Sequence, residues 1–131
     1  MARPRHEYPT PAELEVLRVL WERGPGTVRD VMKALDERGK SGRAYTSVMS
    51  LMNVMADKRL LARKPEGKAF IYSTKATRTK TLGGMVGDLL DRAFEGSASD
   101  LVVHLLEKTD ARELAEIRKT IDAYRRESRG Q

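Results

Sequence analysis

Residues 45–72 read YTSVMSLMNVMADKRLLARKPEGKAFIY. In the first half of this stretch, apolar side chains recur three and four residues apart, which is the spacing of one face of an α-helix. The pattern predicts a helix that begins near Tyr45 or Thr46 and ends at about Arg59. The apolar residues expected to be buried by this helix are Val48, Leu51, Met52 and Met55.

In the second half of the stretch the period changes from helical to alternating. Residues 61–64 and 69–72 predict two short strands on either side of PEGK at residues 65–68. A proline followed closely by a glycine is typical of a turn. We therefore expect a β-hairpin with a basic tip directly after the helix.

Two further helices are predicted upstream of this stretch. TPAE at residues 10–13 is typical of a helix start: Thr10 can cap the first turn, Pro11 suits the first helical position, and Glu13 completes a capping box. Thr27 and Asp30 stand in the same relationship at the start of a second, shorter helix. Three short helices followed by a hairpin is the element order of a winged helix.

Three more helices are predicted downstream of the hairpin. A polar, threonine-rich stretch at residues 73–81 is expected to separate them from the winged helix. Ser97 or Ser99 can cap the second of these helices, and Asp110 can cap the third. The polar tail at residues 125–131 is expected to fray.

The expected fold class is mainly α with a small β-hairpin wing, in which a winged helix-turn-helix domain (residues 1–75) precedes a helical dimerisation domain (residues 76–131). Three amphipathic helices of this size have too little material to cover their own apolar faces. We expect two copies of the chain to bury these faces against each other, although the same spacing also suits a closed bundle within one chain. The residues expected in the dimer interface are Leu82, Met85, Val86, Leu89, Leu90, Leu101, Val102, Leu105, Leu114, Ile117 and Ile121.

Charge is distributed unevenly along the chain, whose net charge is +6. Residues 1–75 carry fifteen Lys/Arg against nine Asp/Glu, whereas residues 76–131 carry ten of each. A basic half joined to a neutral half favours a polyanion-binding domain beside a structural one, although a solvated basic surface would have the same composition.

Composition also argues against several classes of protein. With no cysteine, the chain has no disulfide framework, no thiolate metal site and no cysteine nucleophile. No apolar run approaches the ~20 residues needed to cross a bilayer, and the N-terminus does not resemble a signal peptide. We expect a cytoplasmic protein without membrane insertion.

The residues that catalysis usually requires are sparse. The two histidines, His6 and His104, are far apart in the sequence, and no nucleophile elbow, phosphate-binding glycine loop or metal-ligand cluster accompanies them. The glycines at residues 83–87 follow no predicted strand, so they suit close helix packing better than a phosphate loop. We expect no enzyme activity, no cofactor and no metal.

The third helix and the hairpin carry side chains suited to DNA. Thr46, Ser47 and Ser50 form a small polar surface, which would let the helix backbone approach base edges in a groove; capping alone would also explain the first two. Arg43 and Tyr45 stand at the start of the helix, where they can reach phosphates. The hairpin cations expected to meet the DNA backbone or the minor groove are Arg63, Lys64 and Lys68.

Residues 10–72 resemble the BlaI/MecI/CopY family of bacterial repressors, above all in TPAELEVLRVLW at residues 10–21. The match extends through TVRDV at 27–31, AYTSVMS at 44–50 and GKAFIY at 67–72, and more loosely through FEGS at 94–97 and LVVHLLE at 101–107. The resemblance implies a homodimer that binds an inverted-repeat operator in double-stranded DNA and represses antibiotic- or stress-response genes. It places Thr46, Ser47 and Ser50 where the family's recognition helix meets DNA, and Lys68 on its wing.

The resemblance also implies a route to induction. In the β-lactam-responsive branch, a membrane-bound sensor peptidase is associated with cleavage of the repressor in its dimerisation domain. The matching bond here is His104–Leu105, where the chain lacks the Asn-Phe pair of the best-known members. The copper-responsive branch uses clustered C-terminal cysteines, and this chain has none.

The chain departs from the family pattern at the end of the third helix. Val54, Asp57 and Arg59 stand where the family usually has a basic residue, a basic residue and a glycine. Phosphate anchoring there is expected to be weaker or to move to Arg59. Two other functions suit the same pattern: a winged-helix adaptor that meets an acidic protein partner, and a nucleoid-type protein that binds DNA without sequence preference.

Overall fold

The computed structural model describes residues 8–40 and 42–130. In this part of the chain three helices precede a two-stranded antiparallel sheet, and three helices follow it. The elements are α1 (Pro11–Arg23), α2 (Val28–Glu37), α3 (Tyr45–Asp57), β1 (Leu61–Glu66), β2 (Ala69–Thr74), α4 (Arg78–Ala93), α5 (Ala98–Leu106) and α6 (Ala111–Arg129). The mainly helical fold with a hairpin wing, expected from the sequence, is confirmed.

Capping boxes start α1 and α2, as the sequence predicts. At α1 the Thr10 hydroxyl accepts from the backbone N–H of Glu13 at 3.2 Å, and the Glu13 carboxylate accepts from the backbone N–H of Thr10 at 3.0 Å. Thr27 and Asp30 repeat this exchange at α2, at 3.1 and 2.9 Å. Each box satisfies two backbone donors that a helix start would otherwise leave unpaired.

The core of the winged helix lies between the three helices and the sheet. It is built from Val16, Leu17, Val19, Leu20, Val28, Val31, Ala34, Leu35, Val48, Met52, Met55, Leu61 and Tyr72, all buried. Leu51 was expected in this core but is only partly buried. It lies beside Ser47 and Val54 on the open side of α3, so the buried stripe of this helix is narrower than its apolar pattern.

The third helix ends at Asp57, two residues earlier than expected. The backbone N–H of Leu60 donates to Met55 O at 2.9 Å, and that of Arg59 donates to Ala56 O at 3.1 Å. Arg59 takes a positive φ of 68°. These two hydrogen bonds, together with the left-handed backbone of Arg59, form a Schellman motif. The motif ends α3 and turns the chain towards the hairpin.

The hairpin is longer than expected, since β1 runs to Glu66 and β2 to Thr74. Only Gly67 and Lys68 separate the strands, and Gly67 has a φ of 61°, which suits the first position of a two-residue turn. At its base Tyr72 exchanges two backbone hydrogen bonds with Gly26, at 3.0 and 2.8 Å. This bridge ties the hairpin to the segment between α1 and α2.

The second half of the chain is more helical than expected. Ser73 and Thr74 end β2, and residues 78–81 form the first turn of α4, so the expected polar separator shrinks to residues 75–77. The Thr77 hydroxyl accepts from the backbone N–H of Lys80 at 3.1 Å, which explains this early start.

The tail expected to fray instead continues α6 to Arg129. Arginine and glutamate are good helix formers, and basic residues favour the last turn of a helix.

The backbone forms two compact units, Met1–Met85 and Val86–Gln131, and their division falls within α4. The functional boundary at residue 75 stays a prediction. In the second unit, the rings of Phe94 and His104 meet edge to face, with centroids 5.2 Å apart. No side chain of α4, α5 or α6 is buried within residues 78–129.

Candidate nucleic-acid interface

One face of α3 is open and polar. Thr46, Ser47 and Ser50 are exposed and line a shallow surface together with Leu51 and Val54. The opposite face of the helix is buried in the core. The three short polar side chains therefore stand together on the open face of the helix, an arrangement that suits insertion into a DNA groove.

The cations predicted beside this helix have different surroundings. Arg43 makes an ion pair with Glu15 of α1, and Lys40 lies 3.5 Å from the same carboxylate. Tyr45 receives a guanidinium over its ring, since Arg29 lies 5.0 Å from the ring centroid. Arg43 is thus held against α1, and its expected phosphate contact stays a prediction.

Arg29 was not among the residues that the sequence pointed to. It is exposed in the first turn of α2, directly after the cap and its first helical residue. No local pattern distinguishes it from a solvated surface arginine, because only the packing of α2 beside α3 brings it to Tyr45.

On the hairpin, the strand register separates two of the predicted cations. Arg63 pairs with Tyr72 and Lys64 pairs with Ile71, so the two cations point to opposite faces of the sheet. Arg63 is the one that meets α3, since its guanidinium donates to Asn53. Lys68 lies in the turn itself and is exposed.

The side chains between α3 and the hairpin form a connected cluster. Tyr72 donates its phenolic O–H to Asn53 Oδ1 at 2.8 Å, and the Arg63 guanidinium lies 5.2 Å from the Phe70 ring centroid. Asn53 was also missed from the sequence. A signal for it existed, because it follows Thr46 by seven residues and Ser50 by three, which is the spacing of one helix face.

A groove of about 270 Å³ runs between the start of α2, α3 and the hairpin. Arg29 and Lys68 supply its cations, and the rings of Tyr45 and Phe70 are exposed in it at 39% and 44%. A concave surface with cations and half-exposed rings suits a polyanion with apolar sugar or base surface.

The described residues were also compared with the requirements of a metal site and of a membrane-spanning helix. Within residues 8–40 and 42–130, histidine and carboxylate side chains form no group of three that could hold a metal ion. None of the helices described there is long and apolar enough to span a bilayer. His6 lies outside the described residues.

The residues expected in a dimer interface are on α4, α5 and α6. Those exposed by 41–53% are Val86, Leu89, Val102, Leu105, Leu114 and Ile121. Leu82, Met85, Leu90, Leu101 and Ile117 are partly buried. Their role in dimerisation stays a prediction.

The bond expected to be cleaved lies inside a helix. His104 and Leu105 are both within α5, and the His104 Nδ1 lies 3.0 Å from the backbone oxygen of Asp100 one turn earlier. Cleavage at this bond also stays a prediction, and it would require this helix to open.

Comparison with known proteins shows which family this chain is similar to. The family model described as "Penicillinase repressor" matches residues 9–123. "Transcriptional regulator BlaI" of Mycobacterium tuberculosis (strain CDC 1551 / Oshkosh) is 32% identical over 111 residues, covering 83% of this chain and 79% of that protein. "Penicillinase repressor" of Bacillus licheniformis is 24% identical over 96 residues, covering 73% of each chain.

Among solved structures, the solution structure of the DNA-binding domain of the repressor BlaI is similar, with a TM-score of 0.47 and 22% identity over 54% of this chain and 84% of that one. The matched relatives carry the names of a transcriptional regulator and a repressor rather than of enzymes. The family match spans most of the chain, from just before α1 into α6, so that both the winged helix and the helices that follow it are included. The chain belongs to the penicillinase repressor family.

Proposed function

We propose that this protein is a transcriptional repressor that binds an inverted-repeat operator as a homodimer. Each protomer lays α3 in a major groove and sets its hairpin against the DNA backbone. The observation that carries the proposal is the exposed polar face formed by Thr46, Ser47 and Ser50, which lies on a helix next to a cationic hairpin. Membership in a repressor family agrees with it.

The case for a homodimer comes from the second unit. Many large apolar side chains of its helices are 40–72% exposed, and none of its residues from 86 to 130 is buried. Apolar surface of this extent is unusual on a protein that acts as a monomer. A second copy offers the same apolar faces, so a two-fold pairing would cover both sets at once.

The dimer gives the operator its geometry. Two identical α3 helices related by a two-fold axis read two half-sites of opposite orientation, separated by a whole number of helical turns. Derepression then follows from loss of the dimer, because one protomer alone forfeits the second half-site. Proteolysis at His104–Leu105 by a membrane-bound sensor peptidase is one such route, and it would need α5 to unfold locally first.

Electrophoretic titration with duplex DNA across a range of salt concentrations tests the proposal. If the dimer neutralises on the order of eight phosphates, the logarithm of affinity should fall against the logarithm of salt concentration with a slope near −7. The DNA should contain the operator half-sites recovered by selection from random duplexes, with a scrambled duplex as control.

Each outcome of this titration has a distinct meaning. Preference for the selected palindrome with a steep salt dependence supports a sequence-specific repressor. Equal binding to both duplexes would overturn sequence specificity in favour of a nucleoid-type protein. No binding to either would overturn the DNA function and favour an adaptor that meets an acidic protein.

A further inference from the structure

Asn53 is the side chain that joins α3 to the hairpin. Its Oδ1 accepts a hydrogen bond from the Tyr72 hydroxyl at 2.8 Å and another from the Arg63 guanidinium. A guanidinium can only donate, so the amide must turn its oxygen, rather than its nitrogen, towards Arg63. The orientation of this amide is therefore fixed by the chemistry of its neighbours.

This arrangement makes Asn53 a poor reader of bases. An asparagine on a recognition helix usually reads adenine through its oxygen and nitrogen together. Here the oxygen already has two donors, from Tyr72 and Arg63. Asn53 would have to release one of them to accept from a base, and releasing Tyr72 would leave a hydroxyl of a 2% exposed residue without a partner.

Arg63 is held from a second side by the hairpin itself. The strand register sets Arg63 opposite Tyr72, and Phe70 lies two residues before Tyr72 on the same face of the sheet. The Arg63 guanidinium lies 5.2 Å from the Phe70 ring centroid, within the range of a cation–π contact. One bond to Asn53 uses one of the five donors of the guanidinium, so others remain for a phosphate.

We propose that Asn53 is a positioning residue for DNA binding, which holds the Arg63 guanidinium at the junction of α3 and the hairpin, ready to contact a phosphate. An exposed ion pair gains little free energy, and an unrestrained arginine must give up much side-chain freedom to form it. A released Arg63 would therefore stay in solvent rather than hold the phosphate, whereas a guanidinium already held in place loses little freedom on binding. This inference rests on the proposed DNA-binding function.

The test uses the full chain and measures how DNA affinity depends on salt. Tyr72→Phe serves as the parent, because Asn53→Ala alone would leave the buried Tyr72 hydroxyl without a partner and would destabilise the fold. In this background we expect Asn53→Ala to reduce the steepness of the salt slope by about 0.9 for each DNA-bound protomer, although it removes no charge. Arg63→Ala should give the same reduction, and the triple variant should show no further change.

The controls separate positioning from a loss of stability. Tyr72→Phe alone should keep the salt slope of the unmodified chain, since the bond between Asn53 and Arg63 remains. Partial unfolding lowers the fraction of active protein without changing the slope. An unchanged slope for Tyr72→Phe/Asn53→Ala, or a further fall when Arg63→Ala is added, would overturn the inference while leaving the proposed function intact.

A second measurement needs no DNA. Nitrogen-15 relaxation of the Arg63 side chain should show restricted motion in Tyr72→Phe and fast motion in Tyr72→Phe/Asn53→Ala. Equal mobility in the two proteins would also overturn the inference. If the unmodified chain binds no duplex at all, the proposed function fails and the role of Asn53 in DNA binding fails with it, whatever the relaxation data show.

Discussion

Glu13 and Lys58 join the start of α1 to the end of α3 through an ion pair of 2.8 Å between Oε2 and Nζ. The other carboxylate oxygen of Glu13 accepts from the backbone N–H of Thr10 in the capping box. Only 3% of the Glu13 side chain is exposed, and both of its oxygens have donors. A residue that the sequence assigns to capping thus also fixes the end of α3 to α1.

Lys58→Ala is expected to lower the free energy of unfolding by about 1–2 kcal/mol, because a nearly buried carboxylate would lose its charged donor. Lys58 itself is 37% exposed, so solvent screening keeps the loss below that of a fully buried pair. Denaturant unfolding at one fixed protein concentration measures the change. The matched control is Lys119→Ala, whose pair with Glu116 is 3.6 Å apart and highly exposed on both sides. A loss no larger than that of the control would contradict the prediction.

Arg59→Gly is expected to raise the free energy of unfolding by about 1 kcal/mol, because a left-handed backbone is costly for a residue with a Cβ. Gly39 provides the control, since it has a φ of 82° and ends α2 in the same Schellman motif, with Lys40 N donating to Leu35 O at 2.8 Å. Gly39→Ala should lower stability by about 1 kcal/mol. Thermal and denaturant unfolding measure both changes. A less stable Arg59→Gly protein would show that the arginine side chain makes a compensating contact.

The same Arg59→Gly protein also tests phosphate anchoring at the end of α3. If Arg59 contacts a phosphate, the salt slope should become shallower by about 0.9 for each bound protomer, even though the fold has become more stable. Arg59→Lys keeps the charge and should keep the slope. An unchanged slope in Arg59→Gly would mean that this cation does not reach DNA.

Leu89→Glu is expected to leave the chain monomeric at micromolar concentration, because in the proposed dimer a carboxylate would be buried in an apolar interface. Leu89 is 46% exposed on α4, and Val54 is 47% exposed on α3. Val54→Glu is therefore a control of equal exposure, and it should leave the oligomeric state unchanged. Sedimentation equilibrium measures both. A Leu89→Glu protein that remains dimeric would place the interface elsewhere.

Ser50→Ala and Lys68→Ala are expected to affect DNA binding in different ways. Ser50 lies on the open face of α3, so its loss should reduce discrimination between the selected operator and single-base variants, by roughly fivefold. Lys68 is in the hairpin turn, so its loss should weaken binding to every duplex alike and make the salt slope shallower by about one for each protomer. Competition titrations against operator variants measure both. Should the two variants behave alike, the division between reading helix and anchoring wing would be wrong.

Local features of the sequence were sufficient to predict most of the secondary structure. The helix starts at Thr10 and Thr27 were predicted because a capping box joins residues only three positions apart. The hairpin was predicted because the change from helical to alternating period, and the proline and glycine between the two segments, are visible within a dozen residues. The turn itself is shorter than predicted, since Pro65 and Glu66 pair within the sheet. The predicted strand ends and the predicted length of α6 were wrong. Backbone pairing extends the strands, and helix propensity extends α6, beyond the apolar pattern of each element.

The candidate site was predicted in outline only. Thr46, Ser47 and Ser50 could be assigned to an open helix face from their spacing between core positions, and the structure places them there. The surroundings of the cations could not be derived in this way. Alternation shows that Arg63 and Lys64 point to opposite sides, but packing decides which of them meets α3.

The sequence by itself determined which segments are helical, where the chain turns, and which half is basic, because periodicity, capping and charge are properties of neighbouring residues. Only the tertiary structure decided that Arg43 is held by Glu15, 28 residues earlier in the chain, and that Asn53 joins Arg63 to Tyr72. Such partners are distant in the sequence, and they meet only after the apolar faces of α1, α2 and α3 have packed into one core.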